Sequence, residues 1–289
     1  MIYFYRHKKL DEYSQQEIDL LGYDGVCKFA TEHSLSPDEV YHQIKQLENH
    51  IQNTIITTLD LNSQPIKSAF EKSIKQYVDY FNKNANYDKQ AYILLGNISS
   101  GKSTYAEKIE SQTNSIIIDS DRFKSGEQTQ HGYFEGLSSF FSLTDRERLQ
   151  KPCSIASAIA TEQISSTGMN IIIPTAAKSI EKLEQKINSL IKNNYDIHLI
   201  YFESPYPDLA NRNYYRYLVQ EFKKEKDPNG NIIHGRFVPV SIIKSYGESC
   251  FATFANSLND KRFKSYKAFY NDNNSNGKNE EIDLETMEK

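Results

Sequence analysis

The sequence predicts an α/β protein in which a parallel sheet flanked by helices follows an all-helical region. Two observations predict it. From Ala91 onward, short apolar runs of strand type alternate with amphipathic stretches of helical length. Before Ala91, apolar residues recur every three or four positions, the period of a half-buried helix.

The helical region spans residues 1–86. Ser14 and Glu17 have the spacing of a capping box, as do Ser36 and Glu39, and Pro37 stands at the favoured first helical position. Val40, Ile44, Leu47, Ile51 and Ile55 then form one apolar stripe. After a break at Asn62–Pro65, Ile66, Phe70, Ile74, Tyr77 and Phe81 form another. The two stripes are expected to face each other in an antiparallel pair, and Asn82–Asn86 reads as a linker.

A second unit runs from 87 to 273. Its strands are predicted at 91–95 (AYILL), 115–119 (SIIID), 170–173 (NIII), 196–202 (DIHLIYF) and 265–270. Helices are predicted at 102–112, about 145–166, 178–192 and 207–223. DPNGN at 227–231 is a turn signal, and the polar stretch 274–289 is expected to be a disordered tail.

Composition narrows the partners. Among 289 residues, 38% are hydrophobic and 25% charged, with a formal net charge of −4, so no broad basic face for nucleic acid is expected. Cys27, Cys153 and Cys250 are scattered without disulfide or zinc spacing, which fits a reducing, cytoplasmic setting. The N-terminus carries no signal-peptide pattern, and no apolar run is long enough to span a bilayer. A receptor-read export signal at a terminus, as in a toxin or effector, is compatible with the same residues.

The first strand runs into Gly96-Asn97-Ile98-Ser99-Ser100-Gly101-Lys102-Ser103, the G-x-x-x-x-G-K-[ST] pattern, and Thr104 continues into a helix. The chemistry explains the spacing. Glycines allow a tight loop whose backbone N–H groups, with the helix N-terminus, face phosphates. Lys102 would reach the β/γ-phosphates of ATP, and Ser103 would offer its hydroxyl to Mg²⁺. The second strand ends in Asp119 and Asp121, at the sheet edge where ligands bind. Asp121 is assigned as the base that accepts a proton from a substrate hydroxyl, and Asp119 as support for the metal; the bland alternative is that Asp119 and Ser120 cap the next helix. No guanine-reading NKxD motif follows, and Pro174 stands where many ATPases carry an acid, which speaks against a GTPase or a motor. On the helix at 207–223, Arg212 and Arg216 share a face, and Arg236 follows the DPNGN turn. Permanently charged, planar guanidinium groups suit the charge that develops in phosphoryl transfer. His198, inside an apolar strand, reads as a satisfied structural residue. Tyr214, Tyr215 and Tyr217 fit better as packing for their helix than as a stacking surface.

In order and approximate spacing, GNISSGKST (96–104), IIDSDRFK (117–124), HGYFEGL (131–137), RYL with Arg216 and GRFVP with Arg236 resemble the zeta toxin family of P-loop kinases. The resemblance covers about Ala91 to Asn273. It implies ATP as phosphoryl donor with Mg²⁺, and the sugar 3′-hydroxyl of UDP-N-acetylglucosamine as acceptor. It implies Lys102, Asp121, Arg216 and Arg236 as the transfer machinery, Ser103 at the metal, His131 and Thr175 on the acceptor side, and a small helical antitoxin as partner. The family's acid at the end of the third strand is replaced by Pro174, so the acceptor pocket is altered. Other acceptors (a nucleic-acid end, an antibiotic or a protein) and a catalytically silent ATP-binding switch remain alternatives. The helices of 1–85 could serve as an in-chain inhibitor, a targeting module or a docking module.

Overall fold

The computed structural model describes residues 13–53, 64–81, 85–125, 127–129, 132–134, 150–224, 226, 237–272, 280–282 and 284. The helical start comprises α1 (Gln15–Asp19), α2 (Tyr23–Glu32), α3 (Pro37–Asn53) and α4 (Gln64–Phe81). There follow β1 (Gln90–Gly96), α5 (Lys102–Thr113), β2 (Ile116–Ile117), α6 (Ser120–Ser125), a hairpin of β3 (Glu127–Thr129) and β4 (Gly132–Phe134), then α7 (Gln150–Ser165) and β5 (Ile171–Thr175). The chain continues through α8 (Ile180–Lys192), β6 (Asp196–Glu203), α9 (Tyr206–Lys223), α10 (Val240–Ser257), β7 (Ser265–Tyr270) and β8 (Glu280–Ile282).

The main sheet has the order β2-β5-β1-β6-β7-β8, parallel except for β8 against β7. β1 lies at its centre, with Ala91–Leu95 in register with Ile171–Thr175 on one side and Gln90–Gly96 with Asp196–Phe202 on the other. Such a strand is covered on both faces, which is why it reads as a continuous apolar run. Its side chains alternate between two cores. Ala91, Ile93 and Leu95 join α7, α8 and α10, whereas Leu94 joins Ala106 and Ile109 of α5. After β1 the chain crosses to β2 and β5, then returns past β1 to β6. The resulting crevice at the carboxyl ends of the strands is where open α/β sheets hold ligands.

The fold class follows the prediction, with local differences. The strand expected at 115–119 is paired only at Ile116–Ile117, although the Ile118 amide still donates to the Ile172 carbonyl. Helix α10 was not predicted; Val240, Ile243, Cys250 and Phe254 are its buried apolar residues, but intervening serines, glycine and threonine dilute the period. In the tail expected to be disordered, Glu280–Ile282 adds an edge strand and buries Ile282. The DPNGN turn at 227–231 lies outside the described residues.

The helical start does not form the expected antiparallel pair. α3 packs on α2, which packs on α9, while α4 packs on α7. Ile74 and Tyr77 of α4 enter the core below the sheet, and the Tyr77 hydroxyl donates to the Ile117 carbonyl. Phe70, Ile74, Tyr77 and Val78 therefore serve the sheet core. The stripe on α3 joins Leu21, Val26 and Phe29 against Ala210 and Tyr214 of α9. The Ser14–Glu17 capping box is formed in full.

Candidate functional site

The loop between β1 and α5 is held in shape by three ties. Asn97 Nδ2 donates to the Ile243 carbonyl of α10 at 2.8 Å. Arg212 Nη1 donates to the Ser99 carbonyl at 3.3 Å, and Asn271 Nδ2 donates to the Ser100 carbonyl at 3.1 Å. The backbone is left-handed at Ser99 (φ 62°) and Gly101 (φ 97°), the kind of turn that points successive amides inward. At Gly96 an added Cβ would lie 2.7 Å from the Phe202 carbonyl oxygen and 2.9 Å from Ser100 Oγ, so only glycine fits. The Lys102 ammonium curls into the loop, donating to the carbonyls of Gly96 (2.8 Å) and Asn97 and to Ser100 Oγ (3.4 Å). Ser103 and Thr104 open the first turn of α5 beside it.

The loop forms one wall of a cavity of about 1080 Å³. Asp119 and Asp121 line it from the end of β2 and the first turn of α6, and the Asp121 amide donates to Asp119 Oδ1 at 3.0 Å. Asp119 therefore caps that turn, as the plainer of the two readings expects, and it also lines the cavity. Thr175 and Pro174 line the cavity from the end of β5. Arg212 and Arg216 enter from α9. Arg212 is engaged with the loop and the Asn271 carbonyl (2.9 Å). Arg216 differs: its Nε and Nη2 are buried with no hydrogen-bond partner, and burial holds its pKa below the usual guanidinium range. A buried cation without a partner is costly, and it is expected where a ligand supplies the missing acceptors.

Sequence reasoning missed two groups here. Asn271, which pins the loop, follows the last predicted strand and belongs to no motif. Lys182 and Lys186 of α8 line the cavity one helical turn apart, and Lys178 lines it from just before the helix; the spacing is legible in the sequence, but which face of the helix meets the cavity is not. Lys186 is pushed to a lower pKa by burial, partly offset by Asp119. Two tyrosines of α9 meet the N-terminal helices: Tyr214 touches Tyr41, and Tyr215 OH donates to Glu32 Oε2 at 2.8 Å, while Tyr217 packs edge-on against Phe237. His198 is satisfied by Ser265 Oγ (2.7 Å) and Gln90 Oε1 (3.0 Å), as expected of a structural residue. Arg236 and His131 lie outside the described residues. No helix among the described residues is long and apolar enough to cross a membrane.

A glycine-bounded loop between the central strand and a helix, opening on a crevice with carboxylates and arginines, defines an α/β protein of the P-loop, kinase-like class. The family model described as zeta toxin matches residues 76–277, and the chain belongs to that family. No curated protein sequence matches it. Among solved structures, one from the PezAT chromosomal toxin–antitoxin system of Streptococcus pneumoniae is similar at 15% identity and a TM-score of 0.52, covering 78% of this chain and 82% of that one. A complex of AvrRxo1-ORF1 and AvrRxo1-ORF2 with sulphate ions is similar at 12% identity and a TM-score of 0.53, covering 76% of this chain and 67% of that one. A form of the latter complex with ATP has 12% identity and a TM-score of 0.51, covering 75% and 66%. Family and fold together support a phosphotransferase of the kinase type.

Proposed function

We propose that the protein transfers the γ-phosphoryl group of ATP to a hydroxyl of a small molecule, a sugar nucleotide such as UDP-N-acetylglucosamine being the first acceptor to try. The observation that carries this is the buried Arg216 guanidinium, unpartnered on Nε and Nη2, in a cavity that Ile98–Thr104 of the loop and the start of α5 also line. A triphosphate on that loop would offer the oxygens that Arg216 lacks. The cavity, at about 1080 Å³, has room for a nucleotide and a second substrate. The AvrRxo1 complex described with ATP supports ATP as donor.

Each residue has a role the chemistry requires. Backbone amides of the loop and the start of α5 hold the phosphates, and Lys102 exchanges its loop carbonyls for phosphate oxygens. Arg216, with Arg212 bracing the loop, balances charge on the moving group; Arg236 is proposed to join them. Asp121 orients the acceptor hydroxyl and takes its proton. Ser103 and Asp119 are the residues that would hold Mg²⁺, which would supply Lewis-acid charge neutralisation. The Ser103 hydroxyl and the Asp119 carboxylate, both at the cavity, are oxygen donors of the kind that ion takes. His131 and Thr175 are proposed acceptor contacts. With Pro174 in place of an acid, recognition of the acceptor falls more heavily on Thr175 and the lysines of α8. An antitoxin partner is proposed because similar structures come from toxin–antitoxin systems.

Consumption of γ-labelled ATP with a panel of hydroxylated metabolites, UDP-N-acetylglucosamine included, tests this. Wild type should transfer label, and Lys102→Ala and Asp121→Ala should each lose at least about a hundredfold in rate. ATP binding without transfer to any acceptor would favour a nucleotide-sensing switch instead.

A further inference from the structure

The helices that precede the family match dock on the back of the very elements that hold the nucleotide site. α2 lies along α9, close enough that a Cβ on Gly25 would sit 2.1 Å from the Asn211 carbonyl oxygen. Gly25 N donates to Asn211 Oδ1 at 3.3 Å. From α3, Glu48 reaches the junction of α9 and α10. Its carboxylate is buried at 5% exposure; it accepts from Tyr214 OH at 3.0 Å and from the amide of Val240, the first residue of α10, and it pairs with Lys45 at 3.1 Å. A carboxylate there satisfies one of the orphan amides of α10 and complements the positive end of that helix.

Both helices that Glu48 joins act on the cavity. α9 presents Arg212 and Arg216 to it two residues either side of Tyr214, and α10 holds the loop through the Ile243 carbonyl and Asn97 Nδ2. Tyr13 extends the contact, packing in a cluster with Ile98 of the loop and Ile243 of α10. Among the described residues, none from 13–53 lines the cavity. Residues 13–53 therefore reach the site only through the elements that line it.

Taking the cavity as the ATP site proposed above, we infer that Glu48 is a positioning residue for it: by tying α9 to the start of α10 it fixes the spacing between the arginines and the phosphate loop. Glu48 touches no substrate and works through Tyr214 and Val240.

Calorimetric titration of the full chain with ATP and Mg²⁺ tests this. Glu48→Ala should weaken binding about tenfold. Glu48→Gln keeps an acceptor for the Val240 amide and should recover most of that loss. In an Arg216→Ala background, Glu48→Ala should add almost nothing, because the interaction it positions is already gone. A role confined to fold stability would instead lower the melting temperature and add equally in both backgrounds. Should Glu48→Ala fail to fold, Tyr214→Phe removes only the hydroxyl from the same junction and should weaken binding about threefold. Unchanged affinity in both variants, or full additivity with Arg216→Ala, overturns the inference and leaves the kinase proposal standing. Failure of the wild type to bind ATP overturns the kinase proposal and the inference with it.

Discussion

Arg216 shows how function is written into a single side chain. A core would normally exclude a guanidinium or pair it, because desolvation of an ion costs several kcal/mol that only good partners return. Here Nε and Nη2 are buried without one. Arg216→Met keeps the bulk and removes the unpaired charge. It should therefore raise the melting temperature of the ligand-free protein by a few degrees, relieving roughly 1–3 kcal/mol. The stabilisation that ATP confers should shrink in the same variant. A scanning-calorimetry comparison with and without ATP measures both effects; a lower melting temperature without ligand would mean that the guanidinium is satisfied in a way the fold does not reveal. Gly96 makes the complementary case. Gly96→Ala would drive a methyl group into the Phe202 carbonyl at 2.7 Å and deform the loop, so ATP binding should be lost while the far end of the sheet keeps its hydrogen-exchange protection.

At the level of elements, packing partners explain which predictions succeeded. The central strands were legible because burial on both faces makes them continuous apolar runs, as in Ile171–Ile173. The Gly96–Ser103 loop was legible because its chemistry demands particular residues at fixed spacing. What an amphipathic stripe faces is not encoded in its period: the stripe on α4 meets α7 and the sheet, and that on α3 meets α2 and α9. The same limit hid the lysines of α8 and the anchoring role of Asn271, both set by tertiary placement. Two measurements probe elements directly. Gly25→Ala should push α2 off the Asn211 backbone and destabilise the protein by about 1–3 kcal/mol or more; denaturant midpoints would reveal it, and an unchanged midpoint would mean that α2 is not seated there. His198, bridging Gln90 of β1 and Ser265 of β7, is held by burial below its ordinary pKa of 6.5, with Asp196 opposing and Lys264 reinforcing. The fold thus favours neutral imidazole. Its contribution is complete above pH 6.5 and is lost as pH falls toward the folded value. Urea midpoints should drop more steeply between pH 7.5 and 5.5 for wild type than for His198→Gln, and parallel curves would remove the linkage.

The whole molecule has a division of labour. A parallel sheet brings the ends of β1, β2 and β5 to one crevice, α9 and α10 close its side, and the N-terminal helices buttress those two from outside. The acidic total charge of −4 coexists with a cavity whose lining includes Lys102, Lys151, Lys178, Lys182, Lys186 and both arginines, so positive potential is concentrated where phosphates would sit. Transfer from ATP to an alcohol is the reaction proposed for this arrangement. The most direct test is mass spectrometry of a metabolite extract incubated with the protein and ATP labelled with ¹⁸O in the γ-phosphoryl group. The arrangement predicts a new phosphomonoester carrying that label, formed by wild type and absent with Asp121→Ala. Label recovered solely as inorganic phosphate, or an equal yield of the ester from the Asp121 variant, would contradict it.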